Sequence, residues 1–317
     1  MGASTMKILT KADIEANLPS LSALMAAIAD GYCDYARGQY DIPPVGYLAL
    51  PHGELHLKYG RAATSAYAVI KIAAGSYTNP GKGLPSSSGC LMVLDVETGF
   101  PLALLQDEGL LTDLRTSAAG AMMAKQFAPA AKTMGIVGCG IQGYYQTRDT
   151  CLALGINQVV AFDRKPASIA SLAERLAPYD IAVTPASDIQ SLCQQADIIT
   201  TVTPSKEAYL DADWLKPGAH INAFGCDSLG KREICGNVLE RADLLLVDSY
   251  DQCRDHGELQ YAQEHVAQRA VPFGQALAEG LDVSATGLTV ADYTGVAVQD
   301  IIIATLVYDA CIGHVSP

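Results

Sequence analysis

Gly138-Cys-Gly140-Ile141-Gln142-Gly143 is a GxGxxG run. It sits where a short apolar strand, 133–137, meets a helix that begins within the run. Gly138 permits the tight turn, Gly140 lets the backbone approach a pyrophosphate, and Gly143 allows close helix packing, while the helix N-terminus favours the anion. Asp163 ends the next strand, 20 residues beyond Gly143. An acid there accepts the adenosine ribose hydroxyls and repels a 2′-phosphate, which favours NAD; the adjoining Arg164 and Lys165 leave NADP open. Three further ionisable residues stand in apolar or glycine-rich surroundings: Lys71 between Ile70 and Ile72, Arg115 in Leu-Thr-Asp-Leu-Arg-Thr, and Asp227 after Phe224-Gly-Cys. Strand alternation turns Lys71 away from its isoleucines, and charged strand residues ordinarily take the solvated face.

The elements that position these residues fall into two regimes. Residues 11–38 read as one or two amphipathic helices, ended by Asp41-Ile-Pro-Pro. The period then shortens: 55–59, 67–74, 90–96 and 101–106 read as strands of an antiparallel sheet, with Glu97-Thr-Gly99 as a hairpin turn. A helix over 112–127 leads out of that region. Strands over 133–137, 158–162, 181–184, 198–202, 220–224 and 244–247 alternate with helices, the pattern of a doubly wound parallel sheet. The fold class is therefore α/β, a Rossmann dinucleotide-binding domain over 118–294 joined to an α+β domain of residues 1–117 with 295–317. The stretch 295–312 reads as one helix with more apolar surface than one face can hide, so it packs onto the N-terminal domain or a second subunit.

Composition narrows the function. The 317 residues are 50% hydrophobic and 17% charged, which excludes disorder as the main state. The net charge is −13 and no Lys/Arg block interrupts it, so a small molecule rather than a nucleic acid is the expected partner. The first 15 residues carry no apolar signal core and no stretch is long enough to cross a bilayer, so the expected location is cytoplasmic. Nine cysteines without a CxxC pair read as reduced core thiols, with no metal centre expected.

Four segments in order, LTDLRTSAAGAMMAK, GIVGCGIQG, WLKPGAHINAFGCD and LTVADYTGVAVQD, resemble the ornithine cyclodeaminase/mu-crystallin family over nearly the whole chain. The resemblance implies a homodimer built by the substrate domain and an NAD(P)-binding Rossmann domain. It implies that Lys71 and Arg115 clamp a substrate α-carboxylate, and that Asp227 is the catalytic aspartate, with Lys71 the other candidate acid. Thr116, Gly138, Gly140, Ile141, Gln142, Asp163, Arg164, Thr203, Thr294 and Gly295 fall on or beside positions that line the cofactor. One departure stands out. Many members carry a third carboxylate-binding arginine just after the first helices, yet Ile42-Pro-Pro-Val-Gly-Tyr47 has none. Instead Leu55-His56-Leu57-Lys58-Tyr59-Gly60-Arg61 brings a histidine and two cations, either on a solvated edge strand or as a second anion clamp, His56 and Lys58 sharing a face.

The shared chemistry implied by the family is hydride exchange at the α-carbon of an amino or imino acid. The favoured expectation is reduction of a small 2-imino acid to an L-amino acid, with a dicarboxylic imine such as iminosuccinate, giving L-aspartate, suited to the extra cations. The alternatives are cyclodeamination of L-ornithine to L-proline and ammonia, with Asp107, Glu108 or Asp113 as acids for the distal ammonium, reduction of pyrroline-2-carboxylate, and non-catalytic binding of a small ligand.

Overall fold

A computed structural model describes residues 6–76, 78–283 and 286–313. The chain forms two compact units, one of residues up to Arg115 together with those from Val296 on, the other Thr116–Gly295.

In chain order the first unit contains β1 (Lys7–Leu9), α1 (Lys11–Glu15), α2 (Leu21–Ala36), β2 (Tyr40–Asp41), β3 (Gly46–Leu50), β4 (Gly53–Ala62), β5 (Tyr67–Ser76), β6 (Ser87–Asp95) and β7 (Pro101–Leu105). The helix α3 (Leu110–Phe127) then runs on into the second unit. That unit contains β8 (Thr133–Val137), α4 (Ile141–Leu154), β9 (Gln158–Phe162), α5 (Pro166–Leu176), β10 (Ala182–Pro185), α6 (Ile189–Gln195), β11 (Ile198–Thr201), β12 (His220–Ala223), α7 (Gly236–Arg241), β13 (Leu244–Val247), α8 (Tyr250–His256), α9 (Glu264–Ala267), β14 (Val271–Pro272), α10 (Phe273–Glu279) and β15 (Thr289–Asp292). The chain returns to the first unit in α11 (Ala297–Ile312).

The first sheet has the order β1-β7-β6-β5-β4-β2, with β3 also on β4. Strands β2 to β7 pair antiparallel as their alternation requires, but β1 joins β7 in parallel, so the sheet is mixed rather than purely antiparallel. One face buries Val69, Leu91, Val93, Ala103 and Leu105. Helix α11 packs on β4, β5 and β6 and against α2. That placement uses its apolar girth: it is hidden by sheet on one side and helix on the other, and most of Ala297–Asp309 is buried.

Lys71 lies on this buried face, 2% exposed, while Ile72 on the other face is 39% exposed. The default strand reading is thus inverted. The lysine is inward because a buried acid meets it there, and the isoleucines belong to an outer face where Ile8, Leu104, Met92, Ile70 and Tyr59 form one cross-strand row.

The second sheet is parallel throughout, in the order β10-β9-β8-β11-β12-β15-β13-β14. The turn between β8 and α4 has Gly138 at φ +99°, and a Cβ on Gly143 would stand 2.1 Å from the Gly138 carbonyl oxygen, so both positions require glycine for different reasons. Among the described residues, no helix is long and apolar enough to cross a membrane.

Candidate active site

The first unit holds a buried charge cluster. β5 carries Lys71 inward, the second turn of α3 supplies Arg115, and the first turn of α11 supplies Asp300, whose carboxylate also gains from the helix N-terminus. Lys71 Nζ is 2.8 Å from each Asp300 oxygen, and Arg115 Nε is 2.9 Å from Oδ1. Arg115 Nη1 donates to Gln299 Oε1 at 2.5 Å, and Gln299 Nε2 donates to the Tyr32 hydroxyl at 2.7 Å, which fixes the guanidinium plane from its second side. Burial pushes the Asp300 carboxyl up, but Arg115, Lys71 and Lys58 outweigh it and hold the group below its usual range. Burial, with Arg115 close by, brings the Lys71 ammonium down to about 7, Asp300 opposing the fall.

The cations on β4 divide. Lys58 is the register partner of Lys71 and acts on both Lys71 and Asp300. His56 lies on the same face, 3.6 Å from Glu54 and edge-on to the Tyr47 ring at 5.4 Å. Arg61 is not brought to this cluster: it sits at odd spacing from Lys58 and pairs with Asp41 at 2.8 Å, its direct neighbour on β2. Its place in a second clamp is withdrawn on that geometry.

Asp300 and Gln299 were not singled out in the sequence. A charged residue within the apolar run Val296–Val307 is the signal that could have found Asp300, since a buried acid needs a partner.

The second unit has a cavity of about 780 Å³ at the glycine turn, lined by Gly138, Gly140, Asp163, Arg164, Lys165 and Thr203 among others. Gly140 caps α4 without a side-chain hydrogen bond and a Cβ there would meet open space, so a ligand's anion can approach the start of α4 closely. Ile141 opens the helix half-exposed and Gln142 follows it. The residues fit a dinucleotide. Asp163 does a second job besides: its Oδ2 accepts Cys139 N and its Oδ1 accepts Lys165 N, each at 2.8 Å, which pins the turn to the end of β9.

Buried acids hold the other loops in this unit. Glu233 accepts from Gly225 N, Thr201 Oγ1, Thr203 N and Oγ1, and Tyr209 OH, over 2.6 to 2.9 Å, and so shapes both the Thr203 loop and the turn before Asp227. Asp248 accepts from Thr294 N and Oγ1 and from Gly295 N. The Thr116 carbonyl accepts from Gln146 Nε2. Asp227 projects from the loop after β12, half-exposed, with Lys231 Nζ 2.6 Å from its Oδ1.

The sequence profile of the ornithine cyclodeaminase/mu-crystallin family matches residues 4–314. The chain belongs to that family. It is 32% identical to the alanine dehydrogenase of Archaeoglobus fulgidus over 95% of this chain and 94% of that one. In structure, this family member is similar to an archaeal alanine dehydrogenase dimer with bound NAD, at a TM-score of 0.87 and 29% identity, covering 97% and 96% of the two chains. It is also similar to the iminosuccinate reductase of Paracoccus denitrificans in complex with NAD+, at a TM-score of 0.86 and 26% identity, covering 97% of each.

Two outcomes are expected of this family member. Asp300→Asn leaves two buried cations without their counter-charge and should destabilise the fold by about 3–5 kcal/mol in urea unfolding, whereas losing the exposed Arg241–Asp213 pair through Asp213→Asn should cost at most about 1 kcal/mol. NADH should bind more tightly than NADPH by fluorescence titration, and Asp163→Ser should narrow or reverse that gap by about tenfold; a wild-type preference for NADPH would make Arg164 and Lys165 readers of the phosphate.

Proposed function

We propose that the protein is an NAD-dependent oxidoreductase that reduces a small 2-imino acid to an L-amino acid, and that its substrate is a dicarboxylic imine of the iminosuccinate type. Family membership supports the reaction class, and the charge cluster of the first unit supports the substrate. Five ionisable groups gather there: Lys58, Lys71 and Arg115 against Asp300 and Asp107. With all five ionised, their balance is one positive charge. A protonated dicarboxylic imine carries one net negative charge and neutralises it; a monocarboxylic iminium is a net-neutral zwitterion and leaves the surplus, and ornithine, with one net positive charge, enlarges it. A buried surplus charge is costly, so this balance favours the dicarboxylate.

Lys71 and Arg115 hold the α-carboxylate and fix the α-carbon. Lys58, opposite Lys71 in the ladder, meets the second carboxylate. Thr116, Gly138, Gly140, Ile141, Gln142, Asp163, Arg164, Thr203, Thr294 and Gly295 hold the dinucleotide. When bound, NADH supplies the hydride that the imine carbon accepts. Asp227 exchanges the proton at the substrate nitrogen, and its neighbour Lys231 keeps the carboxylate oriented.

The outer face of the first sheet, with Leu48, Tyr59 and Ile72 exposed, is the surface a second copy of the chain covers, and the dimeric archaeal relative supports that reading. A second reading rests on Glu54, which alternation places on the face of Lys58 and Lys71, where an acid could receive a distal ammonium; this favours a cyclodeaminase.

The deciding assay follows NADH loss with oxaloacetate plus ammonia and with pyruvate plus ammonia, and, with NAD, the release of proline and ammonia from L-ornithine. Turnover is expected with the first pair. Lys58→Met should lower kcat/KM about ten- to a hundred-fold there and spare pyruvate plus ammonia, since only the dicarboxylate has a charge for Lys58 to meet. Equal loss with both would move Lys58 into the α-carboxylate clamp, and conversion of ornithine to proline by the wild type would overturn the reductase reading.

A further inference from the structure

Asp107 is a buried acid for which the steps above have no task. It lies two residues beyond Leu105, which continues the cross-strand row Lys58–Lys71–Leu91–Leu105, so it emerges at the edge of the face that carries the cation cluster. It is 1% exposed. Its Oδ2 accepts Leu111 N at 2.8 Å and so caps α3, the helix that carries Arg115. Its Oδ1 makes no hydrogen bond among the described residues. Burial pushes the carboxyl up, while backbone amides and, to a lesser degree, the Lys71 charge pull it back. The turn that aims it is strained: Glu108 sits at φ +56° without being glycine, followed by Gly109 at +93°. A buried carboxylate oxygen left without a donor costs free energy unless a ligand provides one.

We propose that Asp107 Oδ1 is the acceptor for the substrate's nitrogen, and that it makes the enzyme prefer a C=N–H or ammonium group over the carbonyl of the parent 2-oxo acid. This rests on the reading that Lys71 and Arg115 hold the α-carboxylate. The α-nitrogen is then two bonds from the carboxylate carbon, within reach of an acid neighbouring Lys71. A protonated imine or an amine donates to a carboxylate; a ketone oxygen can only accept, and faces repulsion from it. The task differs from that of Asp227: Asp107 supplies recognition and charge, Asp227 a proton. It also answers a problem of the reaction, because imines exist in water beside a larger pool of the 2-oxo acid with the same carbon skeleton, and a clamp for carboxylates alone would fill with the wrong ligand.

The test measures binding in dead-end complexes with NADH, which cannot turn over, by calorimetry: L-aspartate against oxaloacetate, and L-alanine against pyruvate. Asp107→Asn keeps an oxygen to cap Leu111 N, removes the charge and adds a donor. L-aspartate or L-alanine affinity should fall ten-fold or more while the matching 2-oxo acid binds as well as before or better. Asp107→Ser, whose hydroxyl can also cap a helix, should show the same loss of amino acid without a gain for the 2-oxo acid, and serves if the Asn variant does not fold. Equal weakening of both ligands would make Asp107 only a support for Lys71 and α3, and no change in either would remove it from the site; both results overturn the proposal while leaving the reductase reading intact. If the wild type bound neither the amino acids nor the 2-oxo acids, the α-carboxylate clamp itself would fall, and this inference with it.

Discussion

A single buried carboxylate organises the first unit. Asp300 joins β5 to α3 and α11 by pairing with Lys71 and Arg115, so three elements distant in sequence are referenced to one group. Such a pair is no great source of stability, since desolvation consumes most of the Coulombic gain. What it supplies is position. Two cations are fixed in a dry place. Burial and the neighbouring guanidinium bring the Lys71 ammonium down to about 7, with Asp300 opposing the fall.

The second unit uses buried acids in another way. Glu233 and Asp248 accept backbone amides and hydroxyls from loops at the ends of the parallel strands, and Asp163 ties the glycine turn to β9. Each converts an irregular loop into a fixed one, which the close backbone approach of a dinucleotide demands. Asp227, by contrast, is half-exposed and pairs with Lys231 on the loop after β12.

The second sheet was readable from sequence because parallel strands with helices on both faces write themselves as short apolar runs alternating with amphipathic ones; β8, β9 and β13 match their expected spans. Five strands escaped, β1, β2, β3, β14 and β15, two of them for clear local reasons. β1 is three residues long with only Leu9 buried, too short to show a period, and β15 follows a glycine-containing loop with no strand signal of its own. The orientation of β5 could not be read from its pattern, because both faces of that sheet are apolar apart from the charge cluster. Asp300 stayed hidden for a deeper reason: its partner Lys71 is 229 positions away, and only the fold brings them together. Arg61 shows the converse, a cation three residues from Lys58 on the same strand yet turned by alternation toward Asp41.

The proposed anion clamp requires Lys71 to be charged when its anion is bound. Calorimetric titration with succinate at pH 8, repeated in buffers of different ionisation enthalpy, measures the protons exchanged on binding. With Lys71 at about 7 in the free protein, only about a tenth of it is charged at that pH, so uptake approaching one proton per chain is expected. Succinate binding with no net proton uptake would contradict it.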